Sequence, residues 1–403
     1  MQNRTDWLSL TVFALSLAGI LLGLAATLGL LIILLIDLAT GSSGNALSVA
    51  WAAASLVTVS LLGVPMAYWT GRKILVGKSP VRARPPAALA AIALLFPIAI
   101  AAGYLASEKG LLPGILGPAA QVLAAGIPAA LIALTVRRIS QPITPTRAWG
   151  HFLMGLWAAP VLALALEAAL LVVFAIVLFA GLAFQPGMQD LLLDLSMNPG
   201  LTPGRIDESL TTILLSPWTV FCILAYIAVL VPMLEEGIKI LGVAPFLRLP
   251  LTPSEAFLGG VLAGLGYALF EALFLPQPGA GWAQTMLARV GATLMHAFTA
   301  GLTGWAIAEA AVRRRAGPIL LAYPGAVAIH GIWNASAVTV GLAAVAAEAG
   351  ERDLTDPPYA IAAAVAAAIL LILTIGAAAG IAAFSRRLRP RAEAPPGIPD
   401  AFS

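Results

Sequence analysis

Charge is scarce in this chain. Only 10% of its 403 residues are Asp, Glu, Lys or Arg, against about a quarter in a soluble globular protein. No polar segment is long enough to build a soluble catalytic domain, so that class is excluded. Cysteine is scarcer still. The single Cys222 lies in an apolar run; it forbids an intrachain disulfide and argues against a thiolate metal site. No H-E-x-x-H occurs and no serine sits in a G-x-S-x-G context, which speaks against a zincin site and a covalent serine mechanism. Alternating apolar and polar residues are also missing, which excludes a membrane β-barrel.

What is there is apolar: 60% of the chain, gathered into uncharged runs of twenty residues or more. That pattern belongs to an all-α polytopic membrane protein. The runs predict about ten spans, at roughly 8–36, 46–69, 86–106, 114–135, 152–184, 217–247, 255–275, 285–311, 318–345 and 358–384. The first is about twice the length of a signal-peptide core and reads as a retained helix. The net charge of +3 has a topological meaning and does not point to nucleic acid. With both termini cytoplasmic, most basic residues fall on the inner side, including Arg72, Lys73, Arg137, Arg138, Arg313 to Arg315, Arg386 and Arg387. Lys109, Arg205, Arg289 and Arg352 lie at or near the outer face. Arg289 reads there as a snorkelling side chain, and His151 as an interfacial residue.

The expected organisation is a five-helix membrane module (1–184), an acidic extracytoplasmic connection (185–216), a four-helix core (217–345), a last helix (346–384) and a disordered cytoplasmic tail (385–403). Within the connection, "MQDLLLDLSM" has the pattern of a short amphipathic surface helix.

Polarity inside the spans concentrates in the four-helix core. An ionisable residue there costs a few kcal/mol to insert and is a functional candidate by default. In "VPMLEEGIKIL", Lys239 is four residues after Glu235 and three after Glu236, so it can reach either carboxylate on one helix face. Two adjacent carboxylates in a low dielectric titrate together. Lys239 then tunes the pair, and the other glutamate is free to act as a general base. Glu271 lies in the next span, one turn after Tyr267. His296 and His330 fall at matched depth in the following two, and Asn334 is one turn beyond His330. Glutamate, histidine and a nearby amide suit activation of water and stabilisation of an oxyanion. Glu167, alone in the fifth span, has two readings, lining a substrate path or bonding to a neighbouring helix, and the second is preferred.

"EEGIK", "FE", "HAFTAGLTG" and "HGIWN", in this order on four consecutive spans, resemble the motifs of PrsW-type intramembrane proteases, within the clan of the CAAX prenyl endopeptidases and Abi-type membrane proteins. The resemblance covers roughly residues 217–345. It implies a membrane-embedded endopeptidase in which Glu235 or Glu236 is the base and Glu271 the acid of the second motif. His296 and His330 would orient water or act as acid, and Asn334 would assist the oxyanion. No cofactor is expected on the glutamate route; a Zn²⁺ route stays open, with His296, His330 and Glu236 as ligands. The implied partners are the lipid bilayer and a membrane-anchored protein substrate, such as an anti-sigma factor or a lipidated protein, in a bacterial plasma membrane. The second motif departs from the family pattern: the position four residues after its glutamate is Leu275 instead of tyrosine, and Tyr267 is the residue placed to substitute. The competing readings are a proton-coupled transporter using the same glutamates and a non-catalytic family member.

Overall fold

Long uncharged runs have one way to satisfy their backbone in lipid when they do not close into a barrel, and that is the helix. The computed structural model describes residues 7–40, 46–76, 89–140, 143–185, 187–197, 203–248, 251–275, 278–348 and 357–388. No strand occurs among them. In chain order the helices are α1 (Trp7–Thr40), α2 (Ala46–Leu61), α3 (Val64–Val76), α4 (Leu89–Ser107), α5 (Leu116–Ile139), α6 (Pro145–Leu153), α7 (Ala159–Leu182), α8 (Met188–Met197), α9 (Pro203–Leu214), α10 (Pro217–Ala225), α11 (Val231–Lys239), α12 (Pro253–Phe274), α13 (Trp282–Arg313), α14 (Gly317–Glu348) and α15 (Pro357–Arg387). The C-terminal tail expected to be disordered lies almost wholly outside the described residues.

Among the described residues, eight helical stretches are long and apolar enough to cross a membrane, so the chain is a multi-pass membrane protein. Two of the ten expected spans do not meet that standard. One, Ala91–Ser107, is apolar but short. The other is α13, which is 32 residues long but carries Arg289, His296 and several threonines. It packs against α12, α14 and α15, so protein replaces lipid around much of it and its sequence need not be apolar throughout. The connection between α7 and α10 holds two short helices: α8 coincides with the predicted amphipathic segment, and α9 was not foreseen.

The architecture is built around α12. A capping box starts this helix, with Thr252 accepting from Glu255 N–H and Glu255 accepting from Thr252 N–H. Nearly every residue from Ser254 to Leu269 is buried, whereas α1, α7 and α15 turn rows of Leu, Ile and Val outward, as a lipid-facing surface requires. Small residues let the backbones meet. A Cβ on Gly264 would run into the His296 carbonyl, and one on Gly260 into that of Ala300. The first five spans are not set apart from this core, since α5, α6 and the turn after α6 all pack on α12.

Two π-helical turns, Met154–Ala158 and Tyr226–Leu230, each end two residues before a proline, Pro160 and Pro232. Proline has no N–H and clashes with the carbonyl four residues back; widening the preceding turn relieves both problems. The second π turn leads directly into α11 and re-aims the face on which Glu235 and Glu236 stand.

His151 is a correction. It is fully buried instead of interfacial, with Nδ1 2.6 Å from the Gly242 carbonyl and the ring against Phe246.

Candidate active site

The four motif-bearing helices bring their polar residues to one place. At its centre is the Lys239 ammonium, 2.7 Å from Glu236 Oε1, 2.6 Å from His296 Nδ1 and 3.5 Å from Glu235 Oε2. It also lies 4.7 Å from the centre of the Tyr267 ring. The i, i+3 and i, i+4 geometry read from the sequence is therefore realised with both carboxylates. His296 and His330 meet edge to face, their ring centres 4.9 Å apart.

Each imidazole is held by a carboxylate. His330 Nδ1 is 2.9 Å from Glu236 Oε1, and His296 Nε2 is 3.0 Å from Glu271 Oε2. The network assigns the tautomers. Lys239 donates to His296 Nδ1, so His296 carries its hydrogen on Nε2 and gives it to Glu271. His330 gives its Nδ1 hydrogen to Glu236, which leaves its Nε2 as a free lone pair, 3.9 Å from Glu235 Oε2.

The two adjacent glutamates now have different surroundings. Glu236 is fully buried, and one oxygen accepts from both Lys239 and His330. Glu235 instead lines a chamber of about 450 Å³, a size that accommodates a small-molecule-sized segment of chain. Its Oε2, like that of Glu236, is buried without a hydrogen bond, and it lies 3.5 Å from the Lys239 ammonium. Glu271, His296 and His330 line the same chamber, while Phe270, Phe274, Leu275 and Trp333 supply apolar wall. Leu275, where the family pattern has tyrosine, is thus a wall residue. Tyr267 lines the same chamber, with its ring against Lys239 and His296.

Asn334 also lines the chamber, but its amide donates to the Ile227 carbonyl at 2.9 Å. That carbonyl belongs to the π turn ahead of Pro232. Asn334 therefore secures the turn that orients α11.

Two residues read blandly from the sequence belong to this cluster. Arg289 does not snorkel: its guanidinium is 2.5 Å from Glu271 Oε2. It stands seven residues, two helical turns, before His296 and so on the same face of α13, a spacing that could have revealed it. Glu167 lines the chamber from α7 together with Pro160 and Leu164, at i−7 and i−3. The rule that an intramembrane charge is functional by default would have included it.

The ligand set considered for Zn²⁺ also changes. Glu235, His296 and His330 present donor atoms within 4.8 Å of one another. Glu236, the carboxylate first expected there, is committed to Lys239 and His330. Two imidazoles and a carboxylate are the ligands of a common catalytic zinc type. The carboxylates behind the imidazoles, Glu236 and Glu271, occupy the supporting positions that such histidines use. When ionised, Glu167, Glu235, Glu236 and Glu271 exceed the two fixed cations, Lys239 and Arg289, by two charges. A buried excess of that sign favours a bound cation or a proton. The donor types fit the metal once Lys239 leaves His296 Nδ1, because Glu271 holds the other nitrogen of that ring.

No curated protein and no solved structure matches the chain. A family model does match: residues 206–373, which hold all four motifs and every residue of the polar cluster except Glu167, match the PrsW family intramembrane metalloprotease.

Proposed function

We propose that the chamber hydrolyses a peptide bond of a membrane-anchored protein, with Glu235 facing the attacking water. The family match supports an intramembrane protease in general. The observation that carries the finer reading is that Glu235, and not Glu236, lines the chamber, with its Oε2 set beside the Nε2 of His330.

In this reading Glu235 takes the proton from water, and His330 Nε2 orients the water from the other side. Glu236 and Lys239 fix the His330 ring and tautomer without touching substrate. Glu271, paired with Arg289, does the same for His296. Phe270, Phe274 and Trp333 exclude bulk water and receive apolar side chains of the substrate. In a metal-loaded site, Glu235, His296 and His330 would hold the ion instead, and Glu235 would then be a ligand and not the base. A bound Zn²⁺ supplies Lewis acidity and brings the pKa of water to about 7.

The test is cleavage of a membrane-spanning reporter by the purified chain in detergent. Glu235→Gln is expected to abolish cleavage while leaving the protein folded. Glu236→Gln, which keeps an acceptor oxygen for His330, is expected to retain a small residual rate. Undiminished cleavage by the Glu235→Gln/Glu236→Gln double variant would overturn the proposal.

A further inference from the structure

The first five spans carry nothing that the family match covers, yet they supply a buried polar contact beside the active site. Helix α12 ends at Phe274, three residues after Glu271, and Leu275 N–H closes on the Glu271 carbonyl. The carbonyls of Ala272 and Leu273 are among those a helix end leaves without an intrahelical partner. Both residues are buried in the protein, where water is not available to satisfy them.

Gln121 of α5 and Ser55 of α2 do so instead. Gln121 Nε2 donates to Ala272 O at 2.9 Å and approaches Leu273 O at 3.3 Å; Ser55 Oγ donates to Leu273 O at 2.8 Å. The remaining oxygen of the same amide accepts from Trp282 Nε1 at 2.6 Å. Trp282 is the first residue of α13, two turns before Arg289. Gln121, Ser55 and Trp282 are each 1% exposed. Trp51, one turn before Ser55, closes the site edge to face on Trp282.

A carboxamide is the neutral side chain that can do this, since it offers two donors and an acceptor without bringing a charge into the membrane. It grips the end of α12 and the start of α13 together. These are the two helices that the Glu271–Arg289–His296 bridge must span.

We propose that Gln121, assisted by Ser55, is a positioning residue of the active site: it sets the α12–α13 hairpin so that Glu271 meets His296. The catalytic meaning of Glu271 rests on the proposed function, whereas the contact network does not. One role of the N-terminal spans is then to hold the active-site hairpin in register.

The test uses the chain's small histidine count, three in all. In the full-length protein labelled with ¹⁵N-histidine, nitrogen resonances report each ring's tautomer and hydrogen bonding. His151, bonded to the Gly242 carbonyl away from this site, is the internal control. Gln121→Met is nearly isosteric and removes all three bonds; Ser55→Ala is the milder variant should Gln121→Met not fold. The expected result is that either variant moves the His296 signals in the direction produced by Glu271→Gln and leaves those of His151 in place. With a reporter the wild type cleaves, kcat should fall about 10- to 100-fold in Gln121→Met at unchanged KM, as a small misplacement of a reacting group predicts. A folded variant that melts earlier but keeps wild-type His296 resonances would overturn the proposal and leave Gln121 a purely structural residue. Failure of the wild type to cleave any reporter would count against the proposed function instead, and the resonances would still decide the role of Gln121.

Discussion

Replacing Lys239 with methionine removes the cation that Glu235, Glu236 and His296 share. The Lys239–Glu236 separation is 2.7 Å, and the two side chains are 1% and 0% exposed. At an effective dielectric of about 20, that distance corresponds to an attraction of about 6 kcal/mol. Much of it offsets the cost of taking both charges out of water. The single variant retains that cost for Glu236 and loses the attraction, so Lys239→Met is expected to cost about 3–5 kcal/mol of stability. Adding Glu236→Gln leaves no unpaired charge in that pair and should recover most of the loss. The assay is reversible denaturant unfolding in a mild detergent at all four corners of the double-mutant cycle. If the effects of the two single substitutions simply add, the buried pair is not the coupled unit described, and the reasoning fails.

Other expectations follow from the same geometry. Chelation should abolish cleavage and Zn²⁺ should restore it; full activity in metal-free protein, verified by elemental analysis, would leave water activation to Glu235 and the histidines alone. Arg289→Met should lower activity roughly 10- to 100-fold, the range for losing a group that supports a ligand or catalytic side chain, and steady-state rates on the reporter would show it. Gly264→Val should prevent close packing of α12 on α13, because its Cβ would meet the His296 carbonyl; loss of the monodisperse peak in size-exclusion chromatography checks this. Pro232→Ala removes the steric cause of the second π turn and should rotate Glu235 relative to His330. That change is readable as a fall in kcat with the protein still folded.

Much of the site is legible in the chain because charge is so scarce there. Glu235, Glu236, Lys239, Glu271, His296 and His330 stand out against apolar runs, and the structure gathers all six. Arg289 and Glu167 escaped for a related reason. Each has a sufficient local explanation, near a span end or alone in a span, and only their neighbours across helices reveal another. Asn334 differs again: its place one turn after His330 is visible in sequence, but its partner, the Ile227 carbonyl, exists only because the π turn frees it.

The sequence by itself determined that this is a helical membrane protein, which spans carry the buried polar residues, and that Lys239 can reach both glutamates. Those properties follow from composition and from a repeat of about 3.6 residues per turn, both local to the chain. Only the tertiary structure decided that Glu235 faces the chamber while Glu236 turns to Lys239 and His330, that Arg289 binds Glu271, and that the N-terminal spans cap α12. These depend on how each helix is rotated about its axis and on what packs against it. A π turn before Pro232 and glycines that let α12 touch α13 set that rotation through contacts distant in sequence.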